Sequence, residues 1–190
     1  MGGLIQAVLA SKNENKLREL RHGLEGWSIE LLDADEYPPE DGATYLENAR
    51  GKAEFGRTLV DDRWVLGEDS GVEIEGLGGG PGVVSARWAA GREAARALEE
   101  LGGVTGDGRR ARYVCELVAI APDGAVHRGT GILDGRIADE LSGNEGFGFD
   151  PVFIPEGEDG TVAELGNDWK RDNSHRARAA RALVASIMPS

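Results

Sequence analysis

The sequence predicts an α/β protein with a mixed sheet, and three observations predict it. Short apolar runs alternate with segments whose apolar residues recur at helical spacing. The run from Arg112 to Ala121 is apolar on both faces, as a central strand is. Pro122-Asp123-Gly124 then separates that run from a second one, around Val126 to Gly131, so the two read as a hairpin.

Each element follows in order. Leu4 to Ala10 is short and apolar and reads as a buried strand. A polar turn, Ser11-Lys12-Asn13-Glu14-Asn15-Lys16, leads into a helix whose stripe is Leu17, Leu20 and Leu24. Ile29 to Leu32 is a second strand, and Asp33 to Gly42, acidic and holding two prolines, is a loop. Leu46, Ala49 and Ala53 mark a second helix ending near Val60, and Asp61-Asp62-Arg63 is a turn. Trp64 to Gly67 reads as a strand that ends in an acidic turn, Glu68-Asp69-Ser70-Gly71, and then a glycine-rich segment, Leu77 to Gly82. A short helix over Arg92 to Leu101 carries Ala95, Leu98 and Leu101 on one face, and Gly102 to Gly108 is a loop. After the hairpin, Pro151 to Pro155 is a strand. A helix from Ser174 to Ile187 closes the chain, with Ser174 as its N-cap.

The 190 residues fit a single domain, 1–190, with no internal repeat. A net charge of −13 excludes a nucleic-acid polymer as partner, because phosphate neutralisation needs a basic surface; a small anionic ligand needs only a few local cations. The one cysteine, Cys115, lies in an apolar run and reads as core in a reducing compartment. Met1-Gly2-Gly3-Leu4 lacks the pattern of a signal peptide, and no apolar run reaches the roughly 18 residues of a membrane span, so a soluble, cytoplasmic protein is expected.

Four segments carry chemistry. Ser11 to Lys16 stands at a helix start, where free N–H groups and a partial positive charge suit a phosphate; Lys16 adds a point charge, and Ser11 and Asn13 add side-chain donors. In Glu68-Asp69 the carboxylates of adjacent strand residues point to opposite faces, so one suffices for the site. Asp69 is expected to serve as Mg²⁺ ligand and as general base for a water. In Gly146-Phe147-Gly148-Phe149-Asp150-Pro151, glycines permit close approach, a ring can stack on a nucleobase, and the proline predicts extended geometry for Asp150. Lys170 to Arg176 supplies cations and ring donors at a helix start, with Lys170 for a phosphate and His175 and Arg176 for base carbonyls. His22 and His127 have no ligand-like spacing, and there is no zinc pattern, no P-loop and no nucleophile elbow.

Together these segments resemble the inosine triphosphate pyrophosphatase family. The residues that carry the resemblance are Ser11-x-Asn13-x-x-Lys16, Glu47-Asn48-Ala49, Asp69-Ser70-Gly71, Leu77 to Gly82, Ser85-Ala86-Arg87, Gly146 to Pro151 and Ser174-His175-Arg176, in family order along nearly the whole chain. The resemblance implies an elongated two-lobed fold around a long mixed central sheet with flanking helices, a cleft, a homodimer and Mg²⁺ dependence. It implies hydrolysis of ITP, dITP or XTP to the monophosphate and pyrophosphate, with pyrophosphatases for other modified nucleoside triphosphates as the alternative on a similar fold. By the resemblance, Asp69 is base and metal ligand. Ser11, Lys12, Asn13, Glu14, Asn15, Lys16 and Lys170 hold the phosphates. Ser70, Phe147, Gly148, Phe149, Asp150, His175 and Arg176 bind the nucleoside. Glu40 is the second metal ligand, with Glu36 its rival. The chain departs from the commonest bacterial pattern at Glu68, where aspartate is usual, at Phe149 and Trp88, where tyrosine is usual, and in a short segment from Ala89 to Leu101.

Overall fold

The first apolar run forms strand β1 (Ile5–Leu9), and the polar turn after it starts helix α1 (Glu14–Gly23). Asn13 caps that helix by accepting from the N–H groups of Asn15 and Lys16. Strand β2 (Trp27–Leu31) and helix α2 (Tyr45–Leu59) follow. Thr44 and Glu47 form a reciprocal capping box at the start of α2, which fixes where the acidic loop ends. The computed structural model describes residues 4–89 and 91–188; Met1-Gly2-Gly3, read above for a leader, lie outside them.

Strand β3 runs over Trp64–Ile74, followed by β4 (Gly80–Pro81), α3 (Ser85–Ala89), α4 (Glu93–Glu100), β5 (Arg110–Ile120), β6 (Val126–Ile137), β7 (Phe153–Pro155), α5 (Val162–Asn173) and α6 (His175–Ile187). Seven strands form one mixed sheet among the described residues, in the order β2-β1-β3-β5-β6-β7 with β4 beside β3. β1 pairs in parallel with β2 and β3, while β4 on β3 and β7 on β6 are antiparallel. Helices flank it, as the sequence predicts.

Four expectations change. Glu68 and Asp69 lie inside β3 rather than in a turn after it, because Val72 and Ile74 continue the buried alternation. β6 runs six residues beyond Gly131, with Leu133 and Ile137 buried. Helix α5 was not foreseen, so Lys170 stands in the last turn of one helix rather than at the start of another; Ser174 ends α5 and directly precedes α6. In α4 the buried stripe is Ala94, Ala97 and Leu101, one position from the expected Ala95.

The chain divides into two compact units: Met1–Asp69, Cys115–Gly131 and Arg176–Ser190 form the first, Ser70–Val114 and Ile132–His175 the second. In the first, Leu17 and Leu20 of α1 and Ala179, Ala180 and Leu183 of α6 pack on Leu9, Leu66, Cys115 and Leu117 of the sheet. Each fully buried leucine there contributes about 2 kcal/mol. On the other sheet face Ala49 and Ala53 of α2 meet Val118 and Ile120. That helix lies so close to β3 that a Cβ on Gly67 would stand 2.0 Å from the Ala49 carbonyl oxygen. Glycine at 67 therefore sets the approach of α2 to the strand carrying the acidic pair. In the second unit Val72, Ile74, Tyr113, Leu133, Ile137, Phe149 and Phe153 form the core, with Ala97 and Leu101 from α4.

Candidate active site

Adjacent positions on a strand face opposite ways, and β3 uses this to give its two carboxylates different surroundings. Asp69 faces α2. The Asn48 side-chain amide donates to its Oδ2 at 3.1 Å, and the Lys52 ammonium to its Oδ1 at 3.1 Å. Lys52 also donates to the Glu68 carbonyl at 3.0 Å and pairs with Glu40. One ammonium is thus held by two carboxylates and a carbonyl. Burial would lower the Lys52 pKa, but Asp69, Glu68 and Glu40 outweigh it and raise it. Asp69 is pushed up, first by burial and then by Glu68, against the pull of Lys52.

Glu68 faces α1 and α6. Its carboxylate, fully buried, pairs with Lys16 at 2.6 Å and accepts from Arg176 Nε at 3.0 Å. Arg176 reaches Glu19 as well, at 2.9 Å. Burial alone would raise the Glu68 pKa; Lys16, Arg176 and Lys52 overcome it and hold the group well below the usual carboxylate range. The same pairs raise Arg176 in spite of its burial. Cys115, also buried, donates its thiol to Glu68 at 3.5 Å, and burial pushes its pKa well up, so it is core as expected. Lys16, Lys52 and Arg176 face Glu19, Glu40, Glu68 and Asp69, which leaves one excess negative charge in the cluster.

The helix start at Ser11 to Lys16 is already bonded to itself. The N–H of Asn13 donates to Ser11 Oγ, and those of Asn15 and Lys16 donate to Asn13 Oδ1. Lys12 donates to the Asp35 carbonyl at 2.8 Å and lies over the Tyr37 ring, tying this turn to the acidic loop. That loop brings Glu40, not Glu36, to Lys52; Glu36 lines a separate depression with Asp33, Asp35, Phe55 and Leu59.

The second unit gathers the other half of the predicted residues. Asp150 lies in hydrogen-bonded turns, not in the extended geometry expected before Pro151: its N–H donates to Phe147, and Val152 and Phe153 donate to Phe149. Its Oδ2 accepts from the Phe147 N–H and from Lys170, both at 2.7 Å, and its Oδ1 from the Tyr113 hydroxyl at 3.0 Å. Gly146, at φ +77°, makes room for this: a Cβ there would stand 2.1 Å from Asp150 Oδ2. Lys170 is 3% exposed and lies over the Phe147 ring at 4.5 Å. His175 is stacked on Tyr113 at 4.4 Å, and Phe149 on Trp88 at 6.1 Å.

A model of the Ham1 family matches residues 7–186. The chain belongs to the Ham1 family. A dITP/XTP pyrophosphatase of Bdellovibrio bacteriovorus is 41% identical to it over 154 residues, 78% of this chain and 77% of that protein. One from Deinococcus deserti is 39% identical over 185 residues, 95% of this chain and 88% of the relative. The solved structure of the Staphylococcus aureus Ham1 protein superposes with a TM-score of 0.82 at 33% identity, over 96% of this chain and 97% of its own. The family resemblance read from the motifs is thereby borne out.

Within this Ham1 family chain the predicted residues fall into two sets. Lys16, Glu40, Asp69 and Arg176 lie in the first unit with the helix start at Ser11; Ser70, Phe147 to Asp150, Lys170 and His175 lie in the second. Sequence reasoning missed Lys52, Asn48 as an Asp69 partner, Glu19, Tyr113 and the pairing role of Glu68. Lys52 was within reach: it follows Asn48 by four positions and so shares its helix face. The others depend on pairings between distant segments that no local spacing encodes. Among the described residues no helix is long and apolar enough to cross a membrane.

Proposed function

We propose that the chain hydrolyses non-standard purine nucleoside triphosphates (ITP, dITP and XTP) to the monophosphate and pyrophosphate, removing them from the nucleotide pool. The observation that carries this reading is the Asp69 carboxylate, desolvated and sharing Lys52 with Glu40. The names of the relatives supply the substrate class.

A divalent cation fits the first unit. Asp69 and Glu40 converge on one ammonium, so their oxygens already form a cation-binding arrangement, and Mg²⁺ takes one or two carboxylates plus substrate phosphates. When bound, Mg²⁺ would offset charge on the triphosphate and stabilise the departing pyrophosphate.

The residues of the chain do the rest. Asp69 takes a proton from the attacking water as the new P–O bond forms at the α-phosphorus and the bond to the β-phosphate oxygen breaks. Lys16 presents positive charge to the phosphates, its position fixed by Glu68. Lys52 keeps Asp69 oriented and ionised. In the second unit the Phe147 ring stacks on the base. N–H donors of Gly148, Phe149 and His175 meet the 6-keto oxygen, where adenine would present an amino donor. Donors facing donors cost orders of magnitude in rate, so ATP is rejected. Lys170 holds Asp150 and with it the shape of that loop. The protein acts as a homodimer in the cytoplasm.

Hydrolysis of ITP in ¹⁸O-labelled water tests the reaction. Label is expected in IMP, with unlabelled pyrophosphate as the second product. Release of orthophosphate and IDP would contradict the reading and make the protein a phosphatase of another kind.

A further inference from the structure

We propose that Tyr113 is a positioning residue for base recognition, acting through the carboxylate of Asp150. The proposal rests on reading the second unit as the base-binding part of the chain. Tyr113 stands on β5, is 7% exposed, and reaches a loop 37 positions away in sequence. Its hydroxyl donates to Asp150 Oδ1, while Oδ2 of the same carboxylate accepts the Phe147 N–H and the Lys170 ammonium.

This geometry is a two-point clamp. A carboxylate held at one oxygen only can turn about its Cβ–Cγ bond. Held at both, it cannot, and whatever is bonded to Oδ2 is then fixed relative to the strand that holds Oδ1. One of the two groups bonded to Oδ2 is the backbone of Phe147, the residue expected to stack on the base. The sheet therefore sets the position of the stacking ring through Tyr113 and Asp150. Phe149 and Gly146 close the same loop: Phe149 is packed into the core, and Gly146 leaves no gap beside Oδ2.

The Tyr113 ring has a second task that its hydroxyl does not share. It lies parallel to His175, 4° between planes, and tilted against Phe153 at 4.4 Å. Phenylalanine at 113 keeps a ring for both contacts and removes the hydroxyl that donates to Asp150. Tyr113→Phe thus separates the clamp from the packing.

The experiment compares wild type and Tyr113→Phe in two measurements: steady-state kinetics on ITP with Mg²⁺, and backbone hydrogen exchange over 146–151 in the nucleotide-free protein. The expected result is a KM for ITP raised about tenfold to a hundredfold, the size of one lost hydrogen bond to a charged group, with kcat within about twofold. Exchange over 146–151 rises while that of 93–100 is unchanged. Unchanged exchange over 146–151 overturns the proposal, and so does a loosened loop with an unaltered KM. A general weakening of the fold, with faster exchange in 93–100 as well and no change in KM, also overturns it. If wild type does not turn over ITP at all, the substrate reading falls. The exchange comparison still decides the clamp, since it needs no substrate.

Discussion

The two units of this chain hold their candidate functional side chains by different means. In the first, Asp69, Glu68, Glu40, Lys16, Lys52 and Arg176 are fixed by opposite charges in a desolvated cluster, where every carboxylate oxygen named above has a cationic or amide partner. In the second, Phe147, Phe149, His175 and Tyr113 are fixed by ring packing and by one carboxylate, Asp150, that serves as an anchor. Charge is what moving a proton and holding a triphosphate require. Stiff rings around a tight loop are what a planar base requires. On the proposed function, chemistry and base choice rest on separable sets of residues, and separable sets give separable mutant phenotypes.

The largest expected effect is at Asp69. Asp69→Asn keeps the size of the side chain and removes the base, so kcat should fall by about a thousandfold or more for every substrate alike. ITP binding, read by calorimetry, should persist; near-normal turnover would remove Asp69 from its role. Next comes Glu68→Gln, which leaves Lys16 and Arg176 buried without their counter-charge and should destabilise the fold by about 3 kcal/mol. The pH dependence sharpens this prediction. The folded-state pKa of Glu68 lies below the ordinary 4.5 of a glutamate, so its contribution is present in full above that value. It is lost as pH falls below 4.5 toward the folded-state pKa. Wild-type stability by urea titration should therefore drop across this acid range, and the Gln variant should lack that part of the slope; parallel curves would contradict the pairing.

Smaller effects should divide between the units. Phe147→Ala should lower kcat/KM for ITP about tenfold or more, the worth of one stacked base, with its effect in KM rather than kcat. A drop in kcat alone would break the proposed separation. Lys16→Ala should weaken ITP binding more than IMP binding, by a difference of roughly tenfold. Equal losses for both ligands would deny Lys16 its phosphate role.

Much of this was legible in the sequence because it is local. Apolar stripes gave α1, α2 and α6, and the alternation in β5 marked a strand covered on both faces. The glycine and aromatic spacing of 146–151 located a tight loop. The acidic pair at 68–69 was visible as a pair facing opposite ways. What each carboxylate met was not, because Lys16, Lys52 and Arg176 arrive from three helices far apart in sequence. Helix α5 escaped for another reason: Gly166 at φ +85° breaks its periodicity, and its apolar stripe is short. Tyr113 read as one more apolar strand residue, since a hydroxyl bonded to a distant carboxylate leaves no trace in local spacing. The helix start at Ser11 was legible as a motif, but its self-capping was not.

The most direct test of the account is pyrophosphate release from ITP, XTP, dITP, GTP and ATP, each with Mg²⁺, under one set of conditions. Strong release is expected from the first three, with kcat/KM lower by orders of magnitude for ATP, whose amino group would face donors, and GTP slower than ITP. Equal rates across all five, or orthophosphate in place of pyrophosphate, would contradict it.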